Sequence, residues 1–132
     1  LAAAALAGCG PAETRFTAEA ALEAGKVKAH GETALPDGAQ LNLSLEPAAG
    51  GDALSVALPQ VKGGRWTAVL DPRRPIPPGA YVVRAMFSPR AFAWSPAVRP
   101  FTGENGEKLG GPNVQQGEGF RYLEIKRSLA VR

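Results

Sequence analysis

Twelve prolines and sixteen glycines are spread along the 132 residues, and they constrain this chain more than any other feature. Proline removes a backbone donor and glycine weakens any regular element it interrupts, so the stretches between them are short. Long helices are excluded. What remains between the breaks is period-two alternation. Leu41, Leu43 and Leu45 alternate with Asn42, Ser44 and Glu46, the pattern of a half-buried strand whose side chains point to opposite faces in turn. Leu54, Val56 and Leu58 repeat it up to Pro59, Trp66, Ala68 and Leu70 follow the Gly63-Gly64 turn, and Tyr81, Val83, Ala85 and Phe87 follow Pro77-Pro78-Gly79.

Other segments are less regular. Phe16–Leu22 carries helix-favouring alanines and glutamates, but Phe16, Ala18, Ala20 and Leu22 also alternate. We read it as a strand, continued after Gly25 by Val27 and Ala29, because every neighbour is a strand in need of a partner. Phe92–Phe101 is expected to be an edge strand, since Pro96 and Pro100 cannot donate to ladders on both sides. Phe120–Val131 is rich in β-favouring residues, and its broken alternation predicts a bulge. Leu35-Pro36-Asp37-Gly38, Asp71-Pro72 and Asn105-Gly106 supply reversals. Roughly seven short strands with turns every 8–12 residues or so imply an all-β chain, an antiparallel β-sandwich of the immunoglobulin-like or transthyretin-like sort.

The N-terminal end has a different character. An apolar run, Leu1–Ala7, leads into Gly8 and the only cysteine, Cys9. A secretory signal needs a short apolar segment and then small residues at the cleavage point. The run is far shorter than the ~20 residues that span a bilayer. Leu6-Ala7-Gly8-Cys9 resembles the lipobox of bacterial lipoproteins, in which the cysteine becomes the lipid-modified first residue. The resemblance implies three parts: residues 1–8 as the remnant of a signal peptide, 9–14 as lipidated Cys9 and tether, and 15–132 as the β-sandwich domain. It also implies a bacterial cell envelope address on the periplasmic side of a membrane. Gly10, where an aspartate would retain some lipoproteins at the inner membrane, favours outer-membrane sorting if the cell has one.

Three internal stretches carry a second resemblance. Gly31-Glu32-Thr33-Ala34-Leu35-Pro36-Asp37-Gly38-Ala39-Gln40-Leu41 resembles the opening of small bacterial envelope β-sandwich domains. Pro77-Pro78-Gly79-Ala80-Tyr81-Val82-Val83 is similar to a stretch of the same domains and of transthyretin-like and immunoglobulin-like modules. Gly103–Gly111 resembles the glycine-rich segment before their last strand. These are turn motifs, and they imply a fold without assigning a catalytic residue.

Chemistry is sparse. The net charge of +3 is modest and its cations are scattered, so neither a nucleic-acid groove nor a polybasic membrane patch is expected. His30 is the only histidine, it lies just before a turn, and no G-x-S-x-G elbow accompanies it. One histidine with a lipidated cysteine does not make a usual zinc set. Glu32 with Asp37, and Glu104 with Glu107, lie near turns but lack calcium-loop spacing. Arg73-Arg74 reads as a solvated loop tip. We expect no cofactor, no metal and no enzymatic activity.

The aromatic residues are the remaining candidates for a surface. Phe92 and Trp94 lie close to Arg90, and aromatic residues with arginine are frequent interface anchors. The competing and favoured reading is that Trp94 and, more so, Trp66 fill the space between two sheets. The expected role is a non-enzymatic, lipid-anchored protein-binding or structural module with an envelope protein as partner. A carbohydrate- or small-ligand-binding lipoprotein, or an envelope enzyme inhibitor acting through a rigid loop such as Asp71–Pro78, are the alternatives.

Overall fold

In the computed structural model, residues 12–90 and 96–132 are described. They form two antiparallel sheets. One contains β1 (Glu19–Glu23), β2 (Lys26–Glu32) and β5 (Arg65–Leu70), in the order β1-β2-β5. The other contains β3 (Asn42–Pro47), β4 (Ser55–Ala57), β6 (Gly79–Phe87), β7 (Val114–Gln116) and β8 (Arg121–Val131), in the order β4-β3-β6-β8-β7. The expected β-sandwich is therefore the architecture, with eight strands.

The alternating residues supply the core. Val27 and Ala29 of β2 and Trp66 and Leu70 of β5 are buried, as are Leu43 and Leu45 of β3 and Tyr81, Val83, Ala85 and Phe87 of β6. All belong to one apolar cluster, which also takes in Leu123 of β8 and loop residues such as Leu35, Leu41 and Val61. Burial is the dominant stabilising term here, because a side chain of this size contributes about 1.5–3 kcal/mol when removed from water. Phe16–Leu22 is extended as expected. Phe16 makes an isolated bridge with Thr33, and β1 then pairs with β2 from Glu19↔His30 to Glu23↔Lys26. The β1–β2 reversal places Ala24 and Gly25 at φ 52° and 78°, and Gly63 and Gly64 between Lys62 and Arg65 adopt 61° and 75°. Two successive positive-φ residues twist a hairpin in the same sense as its strands.

Three expectations need correction. In β4 the face is reversed: Val56 is 55% and Leu58 47% exposed, while Leu54 and Ala57 pack against the core. Val56 pairs with Ser44 on the outer face of β3, and pairing partners share a face. Next, the described part of Phe92–Phe101 is no strand. A turn leads into a short helix, α1 (Val98–Thr102), whose Val98 and Thr102 are buried one turn apart. Pro100 falls in the first turn of α1, where its missing N–H has no helical partner to lose.

Last, β8 has no bulge against β6. Its register is continuous from Gly79↔Val131 to Phe87↔Leu123. The alternation breaks because Arg127 occupies a position on the same face as Leu123, Ile125 and Leu129. It sits at the seam between the sheets, where its Nε donates to the Ala18 carbonyl at 2.8 Å. An arginine can occupy such a position because it keeps its charge in water while its stem covers apolar surface.

Between β6 and β8 the chain makes a long excursion, residues 88–120, that carries α1 and β7. Val98 and Leu109 anchor it to the core. Its return is tied to the N-terminal segment: the Thr14 amide donates to Gly110 O at 2.9 Å, and the Gly110 amide to Thr14 Oγ1 at 3.1 Å. Thr14, assigned to the tether from sequence, is buried.

Candidate functional site

Several residues singled out in the sequence have structural work. Arg90 is held within the excursion. Its Nε donates to Asn105 Oδ1 at 3.2 Å, its Nη2 to Gly119 O at 3.1 Å, and its guanidinium lies 4.8 Å from the Phe120 ring centroid. That uses the cation to fasten a loop, and Asn105 and Phe120 are its neighbours. Phe92 and Trp94, proposed with Arg90 as a surface, and Cys9 lie outside the described residues. Trp66 fills the core, and its indole Nε1 is buried with no hydrogen-bond partner.

The polar candidates are dispersed. His30 is exposed on the outer face of β2, between Glu19 of β1 and Thr67 of β5. Glu32 forms an ion pair with Arg15, and Asp37 Oδ1 accepts from the Gly63 amide at 2.8 Å, so the two carboxylates of that turn region have separate partners. Glu104 and Glu107 are exposed, and Arg73 stands at a loop tip where its amide donates to Asp71 Oδ1 at 2.9 Å. Among the described residues no three His, Cys, Asp or Glu side chains gather as a metal site, and no helix is long and apolar enough to cross a membrane.

A site emerges instead from backbone groups along β8. Pairing with β7 covers only Arg121–Leu123, with one further bond from the Glu124 amide to Asn113 O at 2.9 Å. There β7 ends: Pro112 has no N–H, and Asn113 Nδ2 reaches across to Phe16 O at 2.9 Å. The Glu124 bond also fixes the parity of the strand. In an antiparallel ladder successive residues direct their backbone groups to opposite sides. The even-numbered residues of β8 therefore direct theirs away from β6. Beyond Glu124 these are Lys126, Ser128 and Ala130, and no other described segment takes up their N–H or C=O groups. This is an open sheet edge about five residues long.

The facing edge is open too. The Thr17 amide donates to Glu32 O at 2.8 Å, so odd-numbered residues face β2 and Ala18, Ala20 and Leu22 turn outward. Only the Ala18 carbonyl is taken, by Arg127. Where the β8 edge begins lies an open groove of ≈ 670 Å³, with Arg15 and Thr17 of the segment before β1 on one side, Lys126 and Arg127 on the other, and Pro112 and Asn113 at one end. The outer face beside it carries a charge ladder. Arg84 of β6 reaches Glu46 of β3 at 3.2 Å and Glu124 of β8 at 3.6 Å. Both carboxylates are thereby committed, whereas Lys126 one pleat further has no ion-pair partner.

No family model, no curated protein and no solved structure matches this chain. The β8 edge was missed in the sequence because a lone Arg127 in an otherwise alternating strand looks like a register break. The signal that marks it is Lys126-Arg127-Ser128, three polar residues in succession within a β-favouring run.

Proposed function

We propose that the chain is a lipid-anchored envelope module that works by binding another protein, on an immunoglobulin-like sandwich. The observation that carries the binding role is the open edge of β8, since unpaired strand edges are the surfaces that extended segments of partners extend. The immunoglobulin-like reading is supported by strand order. With β1-β2-β5 opposite β4-β3-β6-β8, the strands correspond to A-B-E and C′-C-F-G. It is also supported by Tyr81, which stands near the start of β6 and donates its hydroxyl to Pro77 O at 2.6 Å, as in a tyrosine corner.

The anchoring role rests on Leu6-Ala7-Gly8-Cys9. Thr14, already tied into the fold, is five residues from Cys9, a reach of about 18 Å at most. A lipid on Cys9 would hold the Thr14–Gly110 end of the sandwich against the membrane. From that end β8 runs away, with Glu124 beside Asn113 and Ala130 further out, which leaves its open edge facing the envelope space.

The anchoring half has a direct test. Expressed behind a complete signal peptide, the protein is expected in the membrane fraction and to take up labelled fatty acid. Cys9→Ser should lose both. Lipid labelling of the serine variant at the wild-type level would overturn it.

A further inference from the structure

We infer that the free edge of β8 docks an extended segment of alternating acidic and apolar residues, added as a further strand beyond the point where β7 stops. The inference rests on the binding-module reading and names the partner chemistry of that same site.

Three features of β8 select such a segment. The first is the backbone. Lys126, Ser128 and Ala130 present unused donors and acceptors on one side, in register with the β7–β8 ladder that ends at Asn113 and Glu124. An incoming strand continues an existing ladder and has only its own freedom to lose. The second is the inner row. Ile125, Leu129 and Val131 are partly buried and packed against the core, and Arg127 between them has its Nε engaged by the Ala18 carbonyl, so an added strand that places apolar side chains beside the three extends that core.

The third is charge. On the outer face of β8, Glu124 is committed to Arg84, so the unpaired charges of that row are Lys126 and, directly after the strand, Arg132. Acidic residues on the outer face of an added strand would meet both. A second copy of this chain fits poorly, because antiparallel self-pairing along the whole open edge sets Lys126 opposite Ala130 and Ser128 opposite itself, so the second copy brings no acidic side chain to Lys126. Lysine on an open edge is a common guard against such pairing. Here the guard also favours an acidic strand over a like-charged one.

The test uses the folded protein and synthetic peptides of alternating Val and Glu, alternating Val and Lys, and Val-Glu with backbone N-methylation at alternate residues. The Val-Glu peptide should bind and should slow hydrogen exchange at the Lys126, Ser128 and Ala130 amides, which face away from β6. The Val-Lys and N-methylated peptides should bind at least tenfold more weakly. Ser128→Pro removes one outward N–H without touching the ladder to β6, so the variant should keep its thermal midpoint and lose at least tenfold in Val-Glu affinity. Lys126→Glu should shift the preference towards Val-Lys.

Equal binding of the two charged peptides, or protection at other amides, would overturn the inference. So would a concentration-dependent dimer that Ser128→Pro abolishes, because a second copy would then be the occupant. Crosslinking of the anchored protein in native membranes separates this inference from the reading beneath it. A partner captured equally by wild type and Ser128→Pro overturns the edge and spares the binding module. Capture by neither counts against the binding module itself.

Discussion

Gly31 of β2 sits between Thr17, just before β1, and Trp66 of β5, and its hydrogen side chain is what makes room for both. A Cβ at this position would clash with the Thr17 carbonyl oxygen and lie 2.6 Å from Trp66 Nε1. Neither neighbour can give way cheaply. Thr17 is held by its own bonds to Glu32, and Trp66 is the largest fully buried side chain among the described residues. Gly31→Ala is thus an overpacking change and should cost roughly 1–3 kcal/mol. Urea denaturation measures it, and an unchanged midpoint would mean that the sheet relaxes around the methyl group. The same contact explains why Trp66 could be assigned to the core from its alternation with Ala68 and Leu70, while the glycine that accommodates it could not be singled out. Its partner is remote in sequence.

Among the elements, the excursion between β6 and β8 depends most on a few side chains. Arg90 binds Asn105 and Gly119 and stacks near Phe120, which joins the outgoing and returning arms. These are exposed contacts, so each contributes little alone. Arg90→Ala should cost about 1 kcal/mol or less in global stability yet open the excursion to protease between Ser88 and Phe120. Limited proteolysis followed by mass analysis of the fragments reads this out. Cutting that spares the excursion in both proteins would show that Val98 and Leu109 hold it unaided. β4 makes the complementary point. It is a three-residue strand at a sheet edge, and its register places Val56 in solvent although the sequence pattern offers Val56 to the core. Short edge strands are set by what they pair with, because one residue of slip exchanges their faces.

At the scale of the whole molecule, both sheets share one apolar cluster, and no second core exists among the described residues. Leu43 lies fully buried in it, beside Ala85 across β3 and β6. Leu43→Ala should destabilise by about 2–5 kcal/mol, through lost burial plus the cavity left behind. With one core, far-UV circular dichroism and tryptophan fluorescence should report the same midpoint in wild type and variant alike. Two separated transitions would mean that the sheets melt independently. The charge ladder through Glu46, Arg84 and Glu124 adds little to this stability, since such half-exposed pairs contribute about 0–1 kcal/mol. Its role is to neutralise two carboxylates and leave Lys126 to dominate the edge.

The amino-acid sequence by itself determined the all-β class, the turns at Gly63-Gly64 and Pro36–Gly38, and the inward faces of β2, β3, β5 and β6. Those features depend on residues two to four apart, where side-chain alternation and backbone sterics act directly. Tertiary structure alone decided the face of β4, the helix in place of an edge strand after Ala97, the inward Arg127 and the open edge of β8. Each of these depends on a partner far along the chain: Val56 on Ser44, Arg127 on Ala18, and the end of β7 on Asn113 reaching Phe16. Local pattern sets which way side chains alternate, whereas the identity of the neighbouring strand sets which backbone groups are left unpaired. A binding edge is defined by that second property.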